Sequence, residues 1–199
     1  MRLYLKFFKR PFDIIMSLVG LIVSIPLWII IPVAILREDG RPVFFCDTRL
    51  SKNGRIFKQM KFRSMIKNVE EKLGVFAAVK DDPRVTKIGK FLRRTAFDEL
   101  PQILNILKGD MSFVGPRPEK DVFAQRIQSE LSNYNLRHTI RPGLTGMAQV
   151  YKKYDSPEDE KLYYDLEYVK NASLFLDLKL LFLSLFTSLR LGWEKFEDR

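Results

Sequence analysis

The longest unbroken apolar stretch, Ile14 to Leu36, reads IIMSLVGLIVSIPLWIIIPVAIL and carries no charged residue. At about 1.5 Å per residue it matches the length of a helix that spans a bilayer. Lysine and arginine flank both ends: Arg2, Lys6, Lys9 and Arg10 before it, and Arg37, Arg41, Arg49, Lys52 and Arg55 after it. Basic flanks favour the cytoplasmic side, so both ends are expected there. Pro26 lacks a backbone donor and its ring crowds the carbonyl four residues back, which predicts a helix break between Ile22 and Pro26. Ser24 can satisfy the freed carbonyls, and Pro32 is a second candidate for the break. A helix–break–helix hairpin that enters and leaves through one face meets both constraints, whereas a straight span with a proline kink meets only the second. A cleaved signal peptide fits poorly, because prolines interrupt the run and Arg37-Glu38-Asp39 is no small-residue cleavage site.

Beyond this stretch the period changes. Val43 to Leu50 and Arg55 to Phe62 are β-prone runs joined by Ser-Lys-Asn-Gly, a hairpin signal. Residues 67 to 84 read as a loop ending in Asp81-Asp82-Pro83-Arg84, followed by a basic helix from Thr86 to about Arg94 whose apolar face is Ile88, Phe91 and Leu92. The start and stop signals predict a short helix from Asp98 to Lys108, with Asp98 at its N-cap, Pro101 in its first turn and Gly109 just past its end. Glu119 to Leu131 is amphipathic, Arg141 to Gly146 is a turn-rich loop, and Ser156 caps a helix to about Asn171. From Ser173 to Arg190, residues Ser173, Asp177, Ser184 and Ser188 share one helical stripe and leave a broad Leu/Phe surface. That segment suits either a core helix or the membrane interface, where Trp193 beside Lys195 would sit at headgroup level. The expected fold is α+β. A small helix-rich cytoplasmic domain with a short β-hairpin and interfacial amphipathic helices, residues 41–199, is fused to a basic flank and re-entrant membrane hairpin, residues 1–40.

A hydrophobic content of 46% argues against disorder and for one body with a real core. Cys46 is the single cysteine, so no internal disulfide can form, and His138 is the single histidine, so no Cys/His metal cluster exists; a reducing cytosol follows as the expected compartment. The formal charge of +10 is concentrated at the front, where residues 1–66 hold twelve Lys/Arg against four Asp/Glu. Such an excess favours nucleic acid, acidic headgroups or phosphorylated substrates and cannot choose among them. No nucleic-acid fold signature is present. Ile88-Gly89-Lys90-Phe91 lacks the earlier glycine and the following hydroxyl of a nucleotide-binding loop, which disfavours an NTPase.

The chemistry concentrates around Asp98-Glu99. A carboxylate at the positive end of a helix stays ionised, and the same dipole attracts a phosphate beside it. Two anions together need counter-charge, which Arg93, Arg94, Arg117 and Arg141 can supply. A divalent cation held by Asp98 and Glu99 would add more, and magnesium is the natural choice. The plainer reading of the pair is a helix cap and a first-turn acid, and of each arginine a solvated surface charge. Lys61 and Arg63 suit substrate contact or a structural, snorkelling role equally. His138 has no dyad partner and reads as packing or phosphate contact rather than catalysis.

Three long motifs carry a resemblance: Asp-Glu-Leu-Pro-Gln from Asp98, Leu-Lys-Gly-Asp-Met-Ser-Phe-Val-Gly-Pro-Arg-Pro from Leu107 to Pro118, and Arg-Pro-Gly-Leu-Thr-Gly-Met-Ala-Gln-Val from Arg141 to Val150. With Lys9-Arg10, Phe12-Asp13, Lys61-Phe62-Arg63-Ser64-Met65 and the Tyr163–Asn171 segment, the chain resembles a monotopic phosphoglycosyl transferase of the bacterial sugar transferase family over nearly its whole length. The resemblance implies a two-step, magnesium-dependent exchange at the cytoplasmic face of the bacterial inner membrane. The aspartate matching Asp98 attacks the β-phosphate of a UDP-sugar and releases the nucleoside monophosphate. Polyprenyl (undecaprenyl) phosphate then collects the phosphosugar, which starts the assembly of a glycoconjugate. Glu99 matches the acid that assists with the metal, while Arg93, Arg117 and Arg141 match phosphate-holding arginines. The partners so implied are the UDP-sugar, the polyprenyl phosphate and the inner leaflet, with no nucleic acid; a homodimer is compatible with the resemblance. Two departures stand out: Ile25 separates Ser24 from Pro26 where the family has an adjacent Ser-Pro, and Met147 replaces a tryptophan. The competing class is a non-catalytic, membrane-attached protein that binds anionic lipid or RNA through its basic front.

Overall fold

The computed structural model describes residues 3–67, 82–153 and 156–191, with side chains described to residue 186. Most of the expected 67–84 loop, and Trp193 and Lys195, lie outside the described residues. A π-helical turn, Tyr4–Phe8, leads into α1 (Lys9–Val23), which meets α2 (Ile25–Asp39) at a 62° bend. The bend falls on Ser24, within the range expected. Pro26 offers no N–H to Ile22, and Ser24 Oγ donates instead to Gly20 O at 2.6 Å while Trp28 Nε1 donates to Ser24 Oγ at 3.1 Å. Pro32 lies inside α2 without breaking it. Among the described residues no single helix is long and apolar enough to cross a membrane; the bent pair passes that test by length and composition.

β1 (Phe44–Leu50) and β2 (Ile56–Phe62) form the antiparallel hairpin, Phe44 opposite Phe62 and Leu50 opposite Ile56. Asn53 (φ 59°) and Gly54 (φ 74°) close it in left-handed conformations, as the Asn-Gly signal requires. Thr86 caps α3 (Lys87–Thr95) by accepting from Gly89 N at 2.9 Å. Gly89 is required there, since a Cβ would come within 1.9 Å of Ser64 O.

The predicted helix from Asp98 is corrected. Ala96 turns left-handed (φ 57°), Phe97–Glu99 is a 3₁₀ turn, and α4 (Gln102–Lys108) begins only after Pro101. Pro101 cannot donate to Phe97 O, so that carbonyl takes Leu100 N at 3.2 Å, a three-residue closure. Gly109 (φ 95°) ends α4 as expected. β3 (Ser112–Val114) then pairs in parallel with β4 (Gly143–Thr145), and between them lie α5 (Asp121–Glu130) and the 3₁₀ segment Tyr134–Thr139. α6 (Met147–Tyr151), α7 (Glu158–Asn171) and α8 (Leu174–Leu191) complete the described chain. The main core gathers Phe57, Ile106, Met111, Val114, Tyr168 and Leu180.

α1 and α8 are inverted relative to ordinary surface helices. α1 buries Lys9, Asp13 and Ser17, one stripe at four-residue spacing, and exposes Ile15, Leu18, Val19 and Ile22. α8 buries Asp177 with Leu180 and exposes Phe175, Leu178, Phe182 and Leu185. The two stripes meet: Lys9 Nζ lies 2.5 Å from Asp177 Oδ2, and Tyr4 and Tyr168 hydroxyls donate to the same carboxylate at 2.5 and 2.6 Å. Asp13 Oδ1 accepts from Ser112 Oγ and Phe113 N, tying α1 to β3. Removing one partner of a buried pair strands the other, so Asp177→Ala should cost about 3–5 kcal/mol. The paired Lys9→Met/Asp177→Leu change should recover most of that loss, read as the thermal unfolding midpoint.

Candidate active site

The left-handed Ala96 and the 3₁₀ turn aim Asp98 and Glu99 inward from the chain between α3 and α4; both are buried. Asn105 of α4 pins this region to β2, its Oδ1 accepting from Met60 N at 2.9 Å and its Nδ2 donating to Lys58 O at 2.8 Å. One residue on, Lys61 Nζ lies 2.6 Å from Glu99 Oε1. Beside it, Gln59 Nε2 donates to Gln102 Oε1 at 2.9 Å. Arg93 projects from α3 near the pair, its Nε donating to Ser64 Oγ at 3.0 Å. A small recess next to Glu99 is lined by Arg49, Gln59, Gln102, Arg117 and Gly143.

The two carboxylates differ electrically. Burial pushes Asp98 up to about 6, and Lys61 and Arg93 oppose the shift without cancelling it. Burial would raise Glu99 too, but the Lys61 and Arg117 charges outweigh it and hold Glu99 below the usual range. The expectation that a helix dipole keeps Asp98 ionised is therefore replaced: the residue precedes α4 by four positions, and desolvation governs it. Asp98 Oδ1 is buried with no hydrogen-bond partner in the protein.

Arg117 stands on the Gly-Pro-Arg-Pro turn, whose carbonyls are claimed in sequence. Pro116 O accepts from Gly143 N (2.8 Å), Arg117 O from Arg137 Nη2 (2.9 Å), Pro118 O from Arg49 Nη1 (3.2 Å) and Glu119 O from Leu50 N (3.0 Å). Two prolines remove the turn's own donors, so three other parts of the chain, β1, β4 and the Tyr134–Thr139 segment, hold it.

Of the expected site residues, the fold thus brings together Asp98, Glu99, Lys61, Arg93 and Arg117. Arg94, one position round α3, is exposed. Arg63 is buried and clasps the end of α2, Nη2 donating to Gly40 O at 2.7 Å with Nη1 3.1 Å from Asp39 Oδ2. Arg141 sits at the far end of α4, on the order of 10 Å along its axis from the acidic pair. Its Nε donates to Gly109 O at 2.8 Å, next to Arg10, which donates to Ile106 O and Leu107 O. These two arginines cap the carbonyls that α4 leaves open. His138 stacks edge-on against Tyr134, and burial together with Arg137 lowers its pKa to about 4, consistent with packing. Arg49, Gln59 and Gln102 escaped the sequence reading. For two of them the signal was the alternation in the hairpin, since Gln59 and Lys61 share a face of β2 and Arg49 lies on the matching face of β1; Gln102 opens α4 and stands in the Asp-Glu-Leu-Pro-Gln motif itself.

Among the described residues no three His, Cys, Asp or Glu side chains are grouped to enclose a metal. Asp98 and Glu99 offer two neighbouring carboxylates, one oxygen of them unpartnered. That set fits magnesium, which commonly takes one or two carboxylates and completes its shell with substrate phosphates and water.

The bacterial sugar transferase family model matches residues 4–190, and the chain belongs to that family. It is 41% identical over 186 residues to the UDP-N-acetylgalactosamine-undecaprenyl-phosphate N-acetylgalactosaminephosphotransferase of Aeromonas hydrophila, covering 92% of this chain and 44% of that protein. It is 42% identical over 184 residues to the UDP-glucose:undecaprenyl-phosphate glucose-1-phosphate transferase of Klebsiella pneumoniae, with 90% and 39% covered. The chain thus spans less than half the length of these two relatives. It is 39% identical over 193 residues to the exopolysaccharide production protein PSS of Rhizobium leguminosarum, covering 92% of this chain and 96% of that protein.

Lys61 is the largest charge lowering Asp98. Lys61→Met should raise the Asp98 midpoint above about 6, followed by carboxyl-carbon NMR titration; an unchanged midpoint would show that the ammonium does not act on the site.

Proposed function

We propose that the protein is a phosphoglycosyl transferase that moves a sugar-1-phosphate from a UDP-sugar to undecaprenyl phosphate, through a covalent phosphosugar on Asp98. The observation that carries this is the buried Asp98 carboxylate with an unpartnered oxygen, set beside a Lys61–Glu99 ion pair, Arg93 and Arg117. The names of the relatives support the same donor and acceptor classes.

An Asp98 oxygen attacks the β-phosphorus of the UDP-sugar, the bond from that phosphorus to the bridging oxygen breaks, and UMP departs with the electron pair. A phosphate oxygen of the lipid carrier then attacks the same phosphorus and displaces the carboxylate. Polyprenyl diphosphosugar is formed and Asp98 is restored, which is covalent catalysis in two steps. Arg117 and Arg93 hold phosphate oxygens, Lys61 keeps Glu99 ionised, and Gln59 and Gln102 line the recess. Magnesium bound by Asp98 and Glu99 would neutralise diphosphate charge and stabilise the leaving nucleotide. Only the ionised form of Asp98 is a nucleophile. kcat/KM should therefore rise with pH through about 6 and level off above it.

The outward apolar faces of α1, α2 and α8 support a monotopic seat in the inner leaflet, with the bend at Ser24 re-entering the cytoplasmic face and α8 lying in the interface. Phe175→Glu/Phe182→Glu should lower partition onto anionic vesicles by about tenfold or more with the fold retained, measured by flotation. Unchanged partition would remove α8 from the interface.

Asp98→Asn keeps the shape of the side chain and loses the nucleophile. With UDP-sugars, polyprenyl phosphate and magnesium it should give a folded, membrane-bound protein without turnover, and the wild type should show a phosphosugar adduct on Asp98 by mass analysis. Turnover by the variant, or transfer without any adduct, would overturn the proposal. Chelation of magnesium should abolish transfer by the wild type.

A further inference from the structure

We infer that Arg137, held by Asp165, is a positioning residue that sets where Arg117 presents its guanidinium to the donor phosphates. The inference rests on the site reading proposed above. Arg137 is 4% exposed and lies in the Tyr134–Thr139 segment, outside every motif that pointed to the active site. Its Nη2 donates to Arg117 O at 2.9 Å and lies 2.7 Å from Asp165 Oδ2, while Nη1 donates to the Tyr134 hydroxyl. One planar guanidinium thus joins α7, its own 3₁₀ segment and the backbone carbonyl of the phosphate-facing residue. A buried ion pair of this kind seldom gains stability over apolar packing of equal volume. What it adds here is direction. The neighbouring carbonyls of the turn are held by backbone amides, Gly143 N and Leu50 N, or by Arg49. The Arg117 carbonyl is held by Arg137, and moving it swings the side chain that lowers the Glu99 pKa and lines the recess. Lysine could keep the charge beside Asp165 but lacks the fork needed to reach Tyr134 and Arg117 as well.

The test is a double-mutant cycle on the full chain in lipid nanodiscs, reading the Kd for UDP with magnesium and, separately, the thermal midpoint. Arg117→Ala should weaken UDP by about tenfold, and Arg137→Met/Asp165→Leu, which removes both charges together, by about fivefold. Combined, they should bind no more weakly than Arg117→Ala alone, because the second change acts through the first. Arg137→Lys covers the case in which the paired change does not fold. It should keep the fold, at a thermal midpoint lowered by the lost hydrogen bonds to Tyr134 and Arg117 O, and weaken UDP by about threefold or more. Additive losses in the cycle, or wild-type UDP affinity for Arg137→Lys, would overturn the positioning role while leaving the site reading intact. Wild-type UDP affinity for Arg117→Ala would instead strike the site reading itself, and the positioning role with it.

Discussion

An ammonium 2.6 Å from a buried carboxylate, Lys61 against Glu99, sets the terms for the rest of the site. Two adjacent acids cannot both lose their water and stay charged without compensation. Lys61 spends its charge chiefly on Glu99, so Glu99 is ionised early and Asp98 carries the penalty of burial. The asymmetry separates the two acids: Glu99 is held below the usual carboxylate range beside an Asp98 raised to about 6 with an unpartnered oxygen. Everything that keeps Lys61 in place, from the hairpin register to the Asn105 clamp between β2 and α4, therefore sets the charge balance of the pair.

The same accounting of charge explains the architecture around the site. α1 and α8 turn their polar stripes to the protein and their leucines and phenylalanines outward, the reverse of what water selects. Such helices hold to the domain through directional contacts, Lys9 to Asp177 and Asp13 to Ser112, and not through an apolar seam alone. The arrangement makes sense only if the outward face meets something apolar. It also ties α1 to the rest of the fold, since Asp13 bonds to β3, the strand that leads into the Gly-Pro-Arg-Pro turn.

Side chains distant in sequence serve as partners where the fold buries several of the charged and polar groups. Arg137 and Asp165 tie the turn of Arg117 to α7, as Arg10 and Arg141 close the carbonyls at the end of α4. Arginine serves both because its planar fork can hold several acceptors at once. An arginine near these motifs can also hold backbone carbonyls, as Arg63 does at Gly40 and Arg141 at Gly109.

Local physics written into the chain determined much of this protein. The break at Ser24, the Asn53-Gly54 hairpin, the Thr86 cap and the end of α4 at Gly109 each follow from a single residue's backbone geometry or donor count. The acidic pair and the Gly-Pro-Arg-Pro turn were equally legible, because their chemistry lies in consecutive residues. Three things were decided only in the folded chain. Asp98 left the helix cap for a buried 3₁₀ turn because Ala96 turns left-handed at the end of α3, a conformation alanine does not demand. Arg49 and Gln59 joined the site because strand pairing set them beside Glu99, and Gln102 because α4 packs against β2. Which arginines reached the acids was settled by packing, and which way the stripe of α8 faced depended on Tyr4 and Lys9, 173 and 168 residues away. Periodicity shows that a helix has two faces, but only the neighbour that meets each face determines which one turns inward.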